Sequence, residues 1–478
     1  MTKTRLLAAA AFTVTALTGC KAVGPDFQSP APPTTAGYLM KGDAPSTLAA
    51  LSPEARVAGP WWKSFGSADL DRVMDQALAG NLTVAAADDS LARLRAEADS
   101  ARGARKPQVD FQGSLTGERI NIASLGFAGF PNPTLGLYSV GGVVSYDADL
   151  FGGLRRGAEA AEAKADAQAR QADAAYLTLT GQTTMAALQI ATTRAEIAAA
   201  EQAVDDDRRT VDLVRQAEGA GGEAPSATVS VRAQLAQDEA VLPPLRQQLS
   251  QARHALAQLV GQAPADWTAP DFELAGFSAP TQIPVSLPSS LVRHRPDILA
   301  AEDNVHAATA QVGVATAALY PDLRLSGNFI QTAIPPANLL TYGVSGWQVV
   351  SGLSAPLFNG GRLKANQRAA QAEANMALAQ YHGAVVSAFT QVADVMEAIT
   401  QDDAEIADLA QAEKVAADAV RDDQNAFRLG GGALLPILDD ERRLQVARRS
   451  RVAWQGKRLA DIAQLFVATA ADWREVKS

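Results

Sequence analysis

Apolar and polar positions alternate strictly along four short stretches of this chain. Val109, Phe111, Gly113 and Leu115 alternate with Asp110, Gln112, Ser114 and Thr116, and Leu323, Leu325, Gly327 and Phe329 alternate with Asp322, Arg324, Ser326 and Asn328. Tyr138, Val140, Val144 and Tyr146 oppose Ser139, Ser145 and Asp147, while Trp347, Val349, Leu353 and Leu357 oppose Gln348 and Ser354. A period of two belongs to strands, which places them at about 108–118, 138–150, 322–331 and 347–357. Elsewhere the period lengthens to that of a helix, as in Leu177, Leu188, Ile190 and Ile197, or Val385, Phe389, Val392 and Val395. The stretches 154–218 and 362–429 lack proline and hold little glycine, so each reads as a helix about 100 Å long. Glycine-rich turns at 219–222 and 430–432 then send the chain into return helices at 225–260 and 436–471. Helices over 68–106 and 287–319 precede the first and third strands, each ending before a proline.

These elements occur twice in the same order. Ala101–Thr116 matches Ala315–Ile330 and Asp149–Gly157 matches Pro356–Lys364, at offsets of about 214 and about 207 residues. Each copy shares its proline before a strand, its glycine turn after one, and a tyrosine, Tyr176 or Tyr381, well into the long helix. The organisation is therefore a duplicated helix–β-hairpin–helix unit. The first repeat covers 61–260, a Pro-containing linker 261–286, and the second repeat 287–478.

Composition narrows the chemistry. Among 478 residues there are one cysteine and four histidines. That leaves no disulfide framework, and His254, His294, His306 and His382 are scattered without metal-ligand spacing. No P-loop, dinucleotide fingerprint or nucleophile elbow is present, so the chain reads as neither an enzyme nor a binder of metal or other cofactor. A net charge of −10 argues against a nucleic-acid partner. Alanine makes up roughly a fifth of the residues, which suits long helices in close contact.

The N-terminus reads as an address. Lys3 and Arg5 precede a short apolar run, Leu6 to Leu17, too short to span a bilayer, so 1–19 is a signal peptide. Leu17-Thr18-Gly19-Cys20 resembles a bacterial lipobox. In such signals the cysteine becomes the mature N-terminus with a diacylglycerol on sulfur and an acyl chain on nitrogen; several chains anchor firmly. Lys21, where those sorting rules place Asp for inner-membrane retention, favours the outer membrane. Residues 20–60 would form the lipidated linker, extended because they lack helical periodicity.

Strands of about ten residues with one apolar face fit either a membrane barrel or a half-buried soluble sheet. Joined to a lipobox, the membrane reading is the stronger. Four strands cannot close a barrel, and an open edge in lipid leaves backbone groups unpaired, so several chains must share one barrel.

The stretches Gly19–Phe27, Trp61–Phe65 and Leu287–Asp322, with Arg293-His294-Arg295-Pro296-Asp297 as the most specific, resemble the TolC/OprM outer-membrane efflux proteins and among them the NodT-like lipoproteins. The resemblance implies a mostly α fold with a membrane β-barrel: a homotrimeric 12-stranded β-barrel on a long periplasmic α-helical barrel. It further implies the exit duct of a tripartite efflux system, joined by a periplasmic adaptor (membrane fusion) protein to an inner-membrane transporter of the resistance–nodulation–division class. A type I protein secretion duct, or a lipid-anchored coiled-coil scaffold without a pore, are the alternatives.

The family narrows its periplasmic entrance at the helix tips with an aromatic, a glycine turn, a basic residue and two aspartates. Phe427 and Gly430 match the first two, Gly432 replaces the basic residue, Pro436 stands at the first aspartate and Asp439 matches the second, beside Asp440. Three copies of Asp439 would then form an anionic gate. Alternatively Asp439 and Asp440 simply favour the first turn of the last helix. The paired turns, Gly219, Gly221 and Gly222 with Gly430, Gly431 and Gly432, are the candidate adaptor contacts.

Overall fold

A computed structural model describes residues 22–33, 35, 37–38, 40, 51–52, 60–121, 126, 129, 131–280, 283–284 and 288–470. Cys20 and the signal segment lie outside these. The chain is mostly helical, with four principal strands. These are β1 (Gln108–Arg119), β2 (Thr134–Asp147), β3 (Asp322–Ala333) and β4 (Ser345–Ser354). The helices are α1 (Ala68–Gly80), α2 (Leu82–Gly103), α3 (Gly153–Gly219), α4 (Pro225–Glu239), α5 (Leu242–Val260), α6 (Pro288–His294), α7 (Pro296–Ala317), α8 (Arg362–Arg428) and α9 (Leu434–Ala468). Both α3 and α8 run unbroken for 67 residues.

The chain divides into two compact units, neither of which is a sequence repeat. One gathers Met1–Pro30, Ser90–Ala169 and Ala300–His382; the other holds Ala31–Asp89, Arg170–Leu299 and Gly383–Ser478.

In the first unit the four strands form one antiparallel sheet in the order β1-β2-β3-β4. Register sets the apolar residues in rows: Val109 opposite Val144, Val144 opposite Gly327, and Gly327 opposite Val349. The next row runs Phe111, Gly142, Phe329 and Trp347. Residues paired directly across a ladder share a face, so this face is mainly apolar, with Gln331, Ser345 and Ser351 among its polar members. It is bare: Phe111 is 80% and Trp347 78% exposed. On the other face Ser139 and Thr332 hydroxyls meet at 3.0 Å. The strand expected over 138–150 starts at Thr134 instead and ends at Asp147, because Asp149 turns out of the ladder with φ 47°. Its carboxylate then accepts from the Leu154 and Arg155 amides at 2.9 and 2.8 Å, capping α3. Asn359 caps α8 more weakly, accepting from the Leu363 amide at 3.4 Å. The expected 347–357 strand likewise shifts to 345–354.

The linker expected to be extended is docked where it is described. The Val23 amide donates to the Phe151 carbonyl at 3.1 Å, Asp26 pairs with Arg156 at 2.5 Å, and Phe27 stacks on His306 with centroids 4.4 Å apart. A Cβ at Gly152 would sit 2.5 Å from that of Ala22, so this passage requires glycine.

In the second unit three expected helices prove interrupted. The helix over 68–106 breaks at Asn81, whose side-chain oxygen accepts from the Thr83 and Val84 amides and whose amide donates to the Leu259 carbonyl at 2.8 Å. That break lets α1 and α5 converge: a Cβ on Gly261 would lie 2.0 Å from the Gly80 carbonyl oxygen. The return helix over 225–260 is two helices, α4 and α5, because Pro243 and Pro244 supply no amide for the preceding turn. The helix over 287–319 breaks at Arg295, which precedes a proline. Arg295 is buried, grips Asp297 with two bonds (2.9 and 2.6 Å) and donates to the Ala468 carbonyl at the end of α9. Small residues bring the long helices together. A Cβ on Gly456 would lie 1.9 Å from the Thr192 hydroxyl, and one on Gly181 would lie 2.6 Å from Val467. Trp61, Phe65 and Phe466 form the aromatic core, with Trp61 stacked on Phe466 at 5.4 Å.

Candidate functional site

The two helix reversals lie in the second unit and are built alike. After α3, Gly221 adopts φ 77°, and the Gly221 and Gly222 amides return to the Glu218 and Ala217 carbonyls at 2.9 Å each. After α8, Gly430 adopts φ 78°, and the Gly430 and Gly431 amides return to Phe427 and Ala426 at 3.0 Å each. Both satisfy the last carbonyls of a helix with a left-handed glycine. Gly432 is needed for space: a Cβ there would sit 2.7 Å from the Phe427 amide nitrogen. Around Gly219, Gly221 and Gly430 the space is open.

Phe427 is not a free contact residue. Half-buried, it packs with Leu438 against Val211, Val214, Val231 and Leu434, so it joins α3, α4, α8 and α9. The exposed apolar side chains at the reversals are others: Leu429 (88% exposed), Leu435 and Val229. Sequence reasoning passed over them because they neighbour glycine turns and carry no periodic signal.

Asp439 and Asp440 do not lie in a first helical turn. The last helix starts at Leu434 rather than 436, with Pro436 inside the opening turn where amides lack partners anyway, and that turn holds no acidic residue. The first-turn reading of the pair is therefore overturned. Asp439 instead meets Arg442 at 2.7 Å and Arg443 at 2.5 Å, while Asp440 meets Arg443 at 3.0 Å. Arg442, hydrogen-bonded to Asp439, holds that carboxyl below its ordinary range. Copies of Asp439 brought together would come with their arginines, as a charge-balanced ring rather than a bare anionic one.

A second group of acids at the same crossing escaped sequence reasoning. Asp207 is 3% and Glu441 5% exposed. Glu441 accepts from Thr210 at 2.8 Å and from Gln424 at 2.9 Å; Gln445 donates to Asp207 at 3.4 Å. Asp207 also faces Asp238, which Gln234 holds at 2.7 Å. One oxygen each of Asp207 and Glu441 is buried without a partner. Burial, reinforced by Asp238, pushes the Asp207 carboxyl up to about 8, and burial also raises Glu441. Farther along, burial pushes Asp402 up to about 6 although Lys457 lies 2.6 Å away. Nothing in the local sequence marks these acids, since their partners come from separate helices.

The described residues hold no cluster able to bind a metal ion. None of their helices is long and apolar enough to cross a membrane. His306 takes a structural role, 3.1 Å from Glu159 beneath Phe27.

Comparison with known proteins places this geometry. A family model described as outer membrane efflux protein matches residues 73–262 and 287–471. The pyoverdine export outer membrane protein OpmQ of Pseudomonas putida is 29% identical over 87% of this chain and 88% of its own length. Outer membrane protein OprJ of Pseudomonas aeruginosa is 28% identical over 96% and 95%. The solved structure of the outer-membrane channel OprN superposes with a TM-score of 0.86 at 26% identity, covering 94% of this chain and 99% of that one.

Proposed function

The chain belongs to the outer membrane efflux protein family, and from that membership and its bare sheet we propose that it is the exit duct of a tripartite efflux system. Three copies share one 12-stranded barrel and conduct small molecules passively. An inner-membrane transporter of the resistance–nodulation–division class loads the duct through a periplasmic adaptor. The observation that carries this reading is the sheet itself. Its β1 and β4 edges have no partner strand among the described residues, and its apolar face has no cover there. In water such a face is a liability; in lipid, closed edge to edge with copies of itself, it is the outside of a barrel. This also disfavours the scaffold alternative, for which a bare apolar sheet has no use.

Lipidation of Cys20 completes the proposal. Ala22, two residues on, packs at Gly152 beside the strand-to-helix junction, so acyl chains on Cys20 would enter the bilayer next to the barrel wall. The exposed tip residues Leu429, Leu435 and Val229, around the open Gly219, Gly221 and Gly430, supply the adaptor-facing surface, with Phe427 bracing it from inside.

Single-channel recording in planar bilayers tests the duct, with an Asp439→Asn variant alongside. Stepwise conductance is expected. The variant leaves Arg442 and Arg443 less compensated and is expected to shift selectivity toward anions. Unaltered selectivity would remove Asp439 from the ion path. Absence of steps in the wild type and in a form lacking Gly430–Gly432 would overturn the duct.

A further inference from the structure

The two ends of the sheet differ in charge. At the hairpin end, the connections 120–133 and 334–344 contain no charged residue, and the charges nearest them are Glu118 and Arg119, one of each sign, at the end of β1. At the helix end, five cationic side chains stand exposed, two just before β1 and three in the first turns of the helices that follow β2 and β4. Arg105 and Lys106 precede β1, Arg155 opens α3 after β2, and Arg362 and Lys364 open α8 after β4. None of the five enters an ion pair among the described residues. Their neighbours behave otherwise: Arg102 meets Glu162, Arg156 meets Asp26 and Glu159, and Arg324 lies against Asp322 and Asp147.

Between the apolar strands and these cations lies an amphipathic step. Leu357 and Phe358 are 95% and 92% exposed, directly between β4 and α8. Tyr320, stacked on Phe151 at 4.6 Å, stands exposed before β3. Apolar wall, then large apolar and aromatic side chains, then unpaired cations is the order of environments crossed on leaving a bilayer: acyl chains, glycerol region, phosphates. Long basic side chains fit the last layer because their stems lie on apolar surface while their heads reach the phosphates.

We propose that Arg105, Lys106, Arg155, Arg362 and Lys364 form a belt that binds the headgroups of anionic phospholipids in the periplasmic leaflet. The inference rests on the barrel reading above, and it adds a lipid class and named residues to it. Phosphatidylglycerol is the matching chemistry: a net negative phosphodiester on two acyl chains, so that headgroup and apolar wall are engaged together. Zwitterionic lipids offer the same chains without the net charge. Clustered basic residues next to a membrane attract anionic lipid by an increment per side chain that salt screens.

The test uses the purified full-length protein in detergent, with lipid retention read by native mass spectrometry. Phosphatidylglycerol and phosphatidylcholine are added in equal amounts. Wild type is expected to retain phosphatidylglycerol about tenfold better, a preference that shrinks as salt rises. A variant with Arg105→Gln, Lys106→Gln, Arg155→Gln, Arg362→Gln and Lys364→Gln is expected to retain both alike. A companion with Arg105→Lys, Lys106→Arg, Arg155→Lys, Arg362→Lys and Lys364→Arg keeps the charge and should keep the preference, which separates charge from misfolding. Equal retention by the wild type, or a preference that survives the glutamine variant, would overturn the belt. So would displacement of the lipid by millimolar inorganic phosphate, which would reveal simple anion sites. Conductance of the same wild-type preparation reports on the duct separately, so failure of the belt and failure of the barrel reading are distinguishable.

Discussion

The sheet and the helix tips solve opposite problems. In β1 every residue is exposed, and the strands are joined by their ladders and little else. At the tips, Val211, Val214, Val231 and Leu434 close a core within a single chain, and polar side chains from α3, α4, α8 and α9 meet inside it. A region whose side chains lack neighbours is unfinished and needs lipid and further copies. A region that buries even its carboxylates is finished by itself and is open to adjustment by a proton. The difference teaches where each half of the molecule gets its stability: the sheet from what it joins, the tips from what they exclude.

The largest expected effect lies in the pH dependence of the tips. Burial raises Asp207 from 3.8 to about 8, so ionising it in the folded tip costs on the order of several kcal/mol. Its folded pKa is raised, so the protonated carboxyl is the stabilising form. The contribution is whole below about pH 4 and is lost as pH climbs through about 8. Glu441 is raised as well and carries the same sign. Around the pair, Asp238 faces Asp207 from α4, Asp206 faces Glu441 from α3, and Gln424, Gln445 and Thr210 are neutral. Amide exchange of residues 204–214, corrected for intrinsic rate, should lose protection progressively between about pH 4 and 8 in the wild type and keep it in Asp207→Asn. Equal loss in both would show that the acid pair does not govern the tip.

The sheet should respond to charge rather than to pH. Phe111→Lys or Trp347→Lys places a cation on the apolar face, at about 2–4 kcal/mol if that face meets the middle of a bilayer. Gln112→Lys, on the opposite face, should change little. Refolding into lipid vesicles followed by urea titration measures all three. Similar costs at positions 111 and 112 would mean that the apolar face is not the lipid face.

Much of this architecture was legible in the residues, and the limits have physical causes. Strand alternation survives in the sequence because one face must be apolar, so facing could be inferred from Val109 to Leu115, whereas the register is set by the pairing with β2. The glycine reversals were legible because φ near +78° excludes most side chains. Asn81 was missed as a break, since its capping is visible only when the Thr83 and Val84 amides point at it. Pro243 and Pro244 carried the α4–α5 break in plain sight, but the surrounding periodicity masked it. The Asp207–Glu441 pair was out of reach. Asp207 sits in a run of three aspartates, and only the approach of a helix more than two hundred residues away decides which of them is buried.

The smallest expected effect compares two glycines. Gly456 lies where α9 crosses α3, and its absent Cβ would fall 1.9 Å from the Thr192 hydroxyl. Thr192 is buried and β-branched, so it cannot swing aside, and Gly456→Ala should cost about 1–3 kcal/mol by overpacking. Gly113, on the apolar face of β1, has no atom within 4 Å of its missing Cβ. Gly113→Ala should be neutral or stabilise by about 0.4–1 kcal/mol, because alanine narrows the unfolded chain's choices. Thermal unfolding in one detergent ranks them, and Thr192→Ala supplies the control. If the clash is the cause, Thr192→Ala combined with Gly456→Ala recovers most of the loss, a coupling expected only of residues in contact. If the double variant merely adds two losses, the tight crossing is not where the helices are held. If Gly113→Ala proves as costly as Gly456→Ala, another copy of the chain is packed on that glycine, and the apolar face is a protein interface rather than a lipid one.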